Sequence, residues 1–294
     1  MKIVLLFSLF FQFLVAFDIT KVELSSHTVV NGGSLLLEFL PQKNIDYLHV
    51  ALAKKSFKIA PNPLDAKKSF VIVPFDYYEK PQNKTLKIFY KENAQLKSEE
   101  LLVKVVAGKY AKEEIHVSSD KVNPESKKVQ ERISKEYNEA MKIYGTITAK
   151  NYMQTPFKMP MQSKITSDFG KARTYNGSLK GYHSGTDFRA AVGTPIVAAN
   201  DGVVALVSDR FYSGGTVLID HGLGIYTCYF HMSKYHVKKG QSVKKGDSLG
   251  LSGQSGRVTG PHLHFAARVN GVQVDPLGLI ELLNKNLLQG KQSL

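Results

Sequence analysis

The sequence has a single cysteine, Cys228, so no disulfide can form within the chain. Acidic residues are scarce: 25 Asp and Glu stand against 39 Lys and Arg, a formal net charge of +14 over 294 residues. A surface that basic favours a polyanion, whether nucleic acid, anionic lipid or an acidic wall polymer. No stretch after residue 16 approaches the roughly 20 apolar residues that a membrane-spanning helix needs. Several catalytic signatures are missing as well. H-E-x-x-H, G-x-S-x-G, the P-loop and the dinucleotide fingerprint do not occur. The pattern S-x-x-K occurs at Ser118–Lys121 and Ser242–Lys245, without the S-D-N or K-T-G that would give it meaning. There is no internal repeat and no low-complexity tract. With 43% hydrophobic and 22% charged residues, a wholly disordered chain is excluded, and the length suits two domains.

What is present begins at the first residues. Met1-Lys2 is a short basic start, Ile3 to Val15 is apolar apart from Ser8 and Gln12, and Ala16 is a small residue at a cleavage position. This reads as a secretory signal peptide over residues 1–16, cleaved before Phe17 and too short to anchor. The expectation is an exported, basic protein with no membrane span after cleavage. Export argues against nucleic acid, as does the lack of interleaved aromatic and basic patches, and for an anionic polymer outside the cytoplasm.

Residues 17–107 read as a β-sandwich domain. Alternating runs at Leu35–Leu40, Tyr47–Ala53, Ser69–Phe75, Thr85–Tyr90 and Glu100–Val106 are separated by turn clusters such as Asn31-Gly32-Gly33 and Pro61-Asn62-Pro63. Five to seven short strands in this span suggest an immunoglobulin-like sandwich. His27 and His49 are isolated and read as structural. Residues 108–155 form a linker with an amphipathic helix. Asn123 is read as its cap and Pro124 as its first helical residue. Val129, Ile133, Tyr137, Ala140, Met141 and Tyr144 supply its apolar stripe, and Gly145 its stop. Residues 156–280, rich in Gly, His and short strands, form the second domain, with a C-terminal tail over residues 281–294. The leucines from Leu279 to Leu288 suggest a short helix before that tail is polar. The whole chain is expected to be mostly β.

Six of the nine histidines lie between positions 183 and 264. His183-Ser184-Gly185-Thr186-Asp187 is an H-x-G-x-D run, Tyr229-Phe230-His231-Met232-Ser233 follows, and Gly260-Pro261-His262-Leu263-His264-Phe265 closes the series. Leu263, Phe265, Ala267 and Val269 alternate with His262, His264, Ala266 and Arg268, so this is a strand and both histidines share a face. Two adjacent imidazoles disfavour double protonation, and a divalent metal or a shared water relieves this. Zinc takes His nitrogen and Asp oxygen, and catalytic sites use three protein ligands plus water. His183, Asp187 and one histidine of the pair make such a set. The other histidine then stands beside the metal-bound water as a general base, with His231 at the edge. Spacing alone leaves open which of the pair ligates. Cys228 lies three residues before His231, on the opposite side of a strand, and reads as a small buried hydrophobe rather than a nucleophile.

In these motifs the sequence resembles the lysostaphin/LytM-type zinc peptidases that cut peptidoglycan cross-bridges. The resemblance covers about 115 residues, Ile165 to Leu279, and includes Ser167-Asp168-Phe169-Gly170, Gly193–Ala199, Asp201–Val204, Val243–Asp247 and Gly253–Gly256. It implies an antiparallel β-sheet groove of the LytM type. It also implies His183, Asp187 and His264 as ligands of a Zn2+ ion, His262 as general base, and His231 as a hydrogen-bond partner of the water or the developing oxyanion. A family tyrosine upstream of the first ligand has no partner at the usual spacing here, and Tyr175 and Tyr182 both lie near. Some family members have lost ligands and only activate other wall hydrolases, but this chain keeps all five positions.

The implied activity is a metalloendopeptidase acting on peptidoglycan stem peptides, a D,D-endopeptidase with D,D-carboxypeptidase trimming as a second outcome. The alternative is a non-catalytic activator or binding protein of the same type. Lys171, Arg173, Lys180, Arg189, Arg210 and Arg257 are candidates to surround the groove and meet the carboxylates of the substrate. The short signal points to the periplasm, or to the outside of the cell if the wall is of the Gram-positive kind. The N-terminal domain reads either as a binding module or as a cap over the groove.

Overall fold

The computed structural model of the chain describes residues 21–289. The expected signal peptide, residues 1–16, lies outside the described residues. The N-terminal unit contains β1 (Val22–Leu24), β2 (Thr28–Val30), β3 (Ser34–Phe39), β4 (Ile45–Leu52), β5 (Lys55–Lys58), β6 (Ala60–Pro61), β7 (Ser69–Pro74), β8 (Gln82–Glu92) and β9 (Gln95–Val106). They make two sheets, β1-β3-β7-β6 and β2-β9-β8-β4-β5. All neighbours are antiparallel except β2, which runs parallel to β9. Alternate residues of both sheets, among them Leu35, Leu37, Val71, Val73, Leu86, Ile88, Val103 and Val105, fill one core between them.

The connecting segment contains β10 (Lys112–Ile115) and α1 (Lys127–Tyr144). The helix begins later than the sequence suggests. Ser126 stands at its N-cap, and Pro124 lies before it with its carbonyl accepting from Gln130 Nε2. A 3-10 turn at Ser119–Lys121 fixes the approach, so Asn123-Pro124 serves the turn and not the helix start. Gly145 ends the helix as expected.

The C-terminal part holds β11 (Ile165–Ser167), β12 (Ala172–Tyr175), β13 (Leu179–Tyr182), β14 (Thr186–Arg189), β15 (Pro195–Val197), β16 (Gly202–Arg210) and β17 (Gly214–Asp220). After these come β18 (Ile225–Tyr235), β19 (Ser242–Val243), β20 (Ser248–Ser252), β21 (His262–Val269), β22 (Val272–Val274) and α2 (Pro276–Leu283). A large sheet runs β11-β14-β21-β18-β17-β16-β19, with β20 joining β15 to β18 and β22 on β21. A small sheet, β10-β12-β13, places the connecting segment parallel to β12. Helix α2 is capped by Asp275, whose side chain accepts from the Leu277 amide. The helical path continues through Asn284–Leu288, burying Leu287 and Leu288. The segment read as a tail from residue 281 is therefore helical and packed as far as Leu288, because its leucines belong to the core.

The large sheet has two different faces. One carries Val217, Ile219, Tyr229, Leu263, Phe265, Ala267 and Val269 into the main core. That core also takes in Leu36, Phe70 and Ile72 from the N-terminal unit, so residues 21–106 complete the hydrophobic interior of the C-terminal part. The other face carries Leu206, Leu218, Tyr226, Cys228 and Ala266, covered by Tyr144, Met141 and Ala140 of α1. The same face continues past the end of α1 to the histidines.

Candidate metal centre

Pairing between β14 and β21 sets Asp187 opposite His264 and Arg189 opposite His262. His183 stands just before β14, and its Nδ1 donates to the Asp168 carbonyl at 2.7 Å. That bond turns its Nε2 towards Asp187 Oδ1 and His264 Nδ1, both 2.9 Å away. His264 Nδ1 and Asp187 Oδ1 are 2.8 Å apart. Gly185 makes room for this: a Cβ there would lie 2.4 Å from the Phe265 carbonyl oxygen and 2.7 Å from His264 Nε2. The glycine of the H-x-G-x-D run is thus required by close packing.

The electrostatics match a cation site. Burial opposes ionisation of Asp187, but hydrogen bonds with His183 and His264 outweigh it and hold the carboxyl far below the usual carboxylate range. Burial lowers His264 to about 4, so it is neutral at pH 7. Two imidazole nitrogens and a carboxylate oxygen, all electron-rich, therefore converge on one point. This donor set and its burial fit zinc. Asp187 Oδ2 faces away and is met by Arg173 Nη2 at 3.4 Å, while Arg173 Nε donates to Glu113 of β10 at 2.9 Å.

His262 stands beside the cluster with its Nε2 3.6 Å from Asp187 Oδ1. Its Nδ1 donates to the Gly260 carbonyl at 2.8 Å, so Nε2 is the basic atom facing inward. His231 reaches the same place by an irregular route. On β18, Tyr226, Cys228 and Phe230 share one face, and strict alternation would send His231 to the other. A bulge opposite Gly215–Val217 and a φ of 62° at His231 turn it back. Its ring then sits 4.8 Å from that of His262, with Nδ1 donating to the Ser255 carbonyl. Burial lowers it to about 3. Neutral and with Nδ1 carrying the proton, it presents an accepting Nε2. That suits a hydrogen bond from water better than one to an oxyanion.

These five residues line one cavity of about 270 Å3. Both tyrosines singled out in the sequence line it too. Tyr182 stacks on Tyr77 of the N-terminal unit, centroids 3.9 Å apart, and burial raises its hydroxyl. Tyr175 carries the Arg257 guanidinium on its ring. Of the basic candidates, Arg173 and Arg257 line the cavity. Arg210 lies in the adjoining space below α1, paired with Glu139 at 3.0 Å. Lys171 pairs with Glu113, while Lys180 and Arg189 are exposed and stand away from it. Tyr144, Tyr212 and Arg268 also line it and were not anticipated as site residues, although Arg268 shares the alternation of His262 and His264. His27 and His49 lie in the N-terminal unit, away from the cluster, and His49 stacks on Phe89.

Residues 181–276 match the model of peptidase family M23. Over that third of the chain the sequence is similar to an M23 domain. Across 123 residues it is 43% identical to peptidoglycan DD-endopeptidase ShyA of Vibrio cholerae, and across 149 residues 39% identical to ShyC of the same organism. Those stretches are 41% and 50% of this chain but 29% and 33% of the relatives, so the chain spans about a third of the curated relatives it matches. A DD-carboxypeptidase/endopeptidase, Mpg of Neisseria meningitidis, is 40% identical over 97 residues, 33% of this chain and 22% of that protein. A crystal structure of an M23 peptidase from Pseudomonas aeruginosa superposes with a TM-score of 0.64 at 26% identity, over 85% of this chain and 94% of that one. The likeness in fold thus extends well beyond the M23 domain.

Proposed function

We propose that this chain is a zinc metallopeptidase that hydrolyses peptide cross-links of peptidoglycan, a D,D-endopeptidase with D,D-carboxypeptidase trimming as a related outcome. The observation that carries this is the convergence of His183 Nε2, Asp187 Oδ1 and His264 Nδ1 beside the inward nitrogens of His262 and His231. The relatives named above as DD-endopeptidases and DD-carboxypeptidase/endopeptidase support the choice of bond. When bound by His183, Asp187 and His264, zinc supplies Lewis acidity at a carbonyl oxygen and a water made acidic near neutral pH. His262 is the general base, since its Nδ1 is occupied by Gly260 and Nε2 is free to accept a proton. His231 orients the water through its accepting Nε2. Asp187 stays ionised throughout, and its orientation is fixed by Arg173.

Export to the periplasm is part of this reading and rests on the basic, apolar and small residues of positions 1–16. Among the described residues no helix is long and apolar enough to cross a membrane. The N-terminal unit is read as immunoglobulin-like on its two packed sheets. Its role as module or cap is not separable by cutting at residue 156, because Leu36, Phe70 and Ile72 would be lost from the shared core.

The test uses residues 17–294 with purified diaminopimelate-type muropeptides, with and without chelator, the products read by mass. The expected result is conversion of cross-linked dimers to monomers, abolished by chelator and restored by zinc. Loss of terminal D-Ala from pentapeptides establishes the carboxypeptidase. A chain that binds no zinc and cuts nothing overturns the proposal in favour of the activator.

A further inference from the structure

The cavity that holds the five site residues is lined by three arginines, and their pairing differs. Arg173 is matched by Glu113 and Asp187. Arg257 and Arg268 have no carboxylate within ion-pair distance among the described residues. Both are half-buried. Each lies over aromatic rings: Arg257 between Tyr175 and Tyr212, 4.3 and 4.5 Å from their centroids, and Arg268 on Tyr144 at 4.2 Å. Their hydrogen bonds to the protein are to backbone carbonyls, Arg257 to Lys121 at 3.5 Å and Arg268 to Gly271 at 2.8 Å. A guanidinium has five N–H donors, so most of each fork is unused by the chain. Rings hold both planes in place, which removes much of the ordering cost of gripping a ligand.

Their placement relates them to the peptide path. Arg268 stands on β21 on the same face as His262 and His264, four residues beyond His264. Arg257 is in the loop that leads into β21, five residues before His262. Both also line the roughly 780 Å3 space that continues beneath α1. A peptide reaching the histidines from that side passes both. Among the described residues Asp187 is the only carboxylate lining the inner cavity, and it is engaged by the cluster and Arg173.

We infer that Arg257 and Arg268 form a receptor for free carboxylates of an acidic peptide substrate, flanking the scissile bond, and that they set a preference for free acid over amide. This rests on the peptidase reading and specifies its substrate. Half-buried guanidiniums without a carboxylate to balance their charge are costly, and a substrate carboxylate repays that with charge-assisted, bidentate hydrogen bonds.

The test is equilibrium binding to the full zinc-loaded chain. Its probes are diaminopimelate-type disaccharide tetrapeptides with free carboxylates and the same compounds with carboxylates amidated. The expected Kd is about tenfold or more lower for the free acid, in line with a bidentate charged pair. Arg257→Gln and Arg268→Gln should bring the acid-to-amide ratio towards one with zinc content unchanged. Arg257→Lys and Arg268→Lys should keep part of the preference, and serve where a Gln variant does not fold. Equal affinity of the unaltered chain for acid and amide overturns the inference, as does a preference that survives both Gln variants. Cleavage of cross-linked dimers is followed in parallel. If the unaltered chain cuts none, the proposed activity fails while the binding ratio still decides the arginines.

Discussion

One face of the large sheet is used twice, and the two uses differ in the side chains the strands carry and in what covers them. Under α1 the face carries Leu206, Leu218, Tyr226, Cys228 and Ala266, packed against Tyr144, Met141 and Ala140. Burial pushes the Cys228 thiol up to about 11, and its nearest polar partner is the Tyr144 hydroxyl at 3.6 Å. Two to four residues along the same strands stand Phe230, His264 and His262, with an open cavity above them. β18 and β21 therefore supply a packing surface at one end and a polar site at the other. Residues that belong to a reactive-looking type become inert where the helix lies.

That contrast can be broken from the site side first. His183→Ala removes a donor from the cluster and is expected to abolish zinc binding and cleavage together, read by metal analysis and muropeptide turnover. His262→Ala leaves the three donors intact, so zinc should stay while the rate falls about 10²–10⁴-fold; near-normal turnover would remove His262 from its assigned role. Arg173→Gln frees the outer oxygen of Asp187, and zinc affinity measured by competition should weaken about 10–100-fold.

Acid tests the buried imidazoles on both sides of the sheet. Burial holds His221 and His264 at about 4 and His231 at about 3, against about 6.5 in an unfolded chain. Between pH 6.5 and 4 the unfolded state binds the extra protons, so stability falls as pH falls through that window. The chelated protein should melt at a lower temperature at pH 5 than at pH 7.5, and a flat profile would contradict the burial argument. The smallest effect is expected under the helix: Cys228→Ala should cost about 1 kcal/mol or less in stability and leave turnover unaltered.

Much of the β-structure was legible because period-two alternation and turn residues are local signals. The five runs read in residues 17–107 coincide with β3, β4, β7, β8 and β9 within three residues at each end, except that β9 starts five residues earlier. The histidine motifs were legible because β21 places His262 and His264 on one face by periodicity alone. The residues alone set His231 at the edge of the site, and its role was legible only through resemblance. Its orientation depends on a bulge and a positive φ that alternation does not foresee. The shared core of Leu36, Phe70 and Ile72, the covering of the sheet by α1 and the stacking of Tyr77 on Tyr182 are all long-range, and no local pattern encodes them. The late start of α1 was missed because Asn123-Pro124 fits a turn as well as a cap.

The salt link from Glu113 through Arg173 to Asp187 has a consequence for where the working unit begins. The stretch that matches the family model opens at residue 181, yet the carboxylate at its centre is steered by an arginine at 173 and, through it, by a glutamate at 113 on a strand that belongs to the connecting segment. The family model and the mechanics thus draw different borders. A graft that respects only the first would carry the histidines into a new host and leave behind the brace that aims their neighbour.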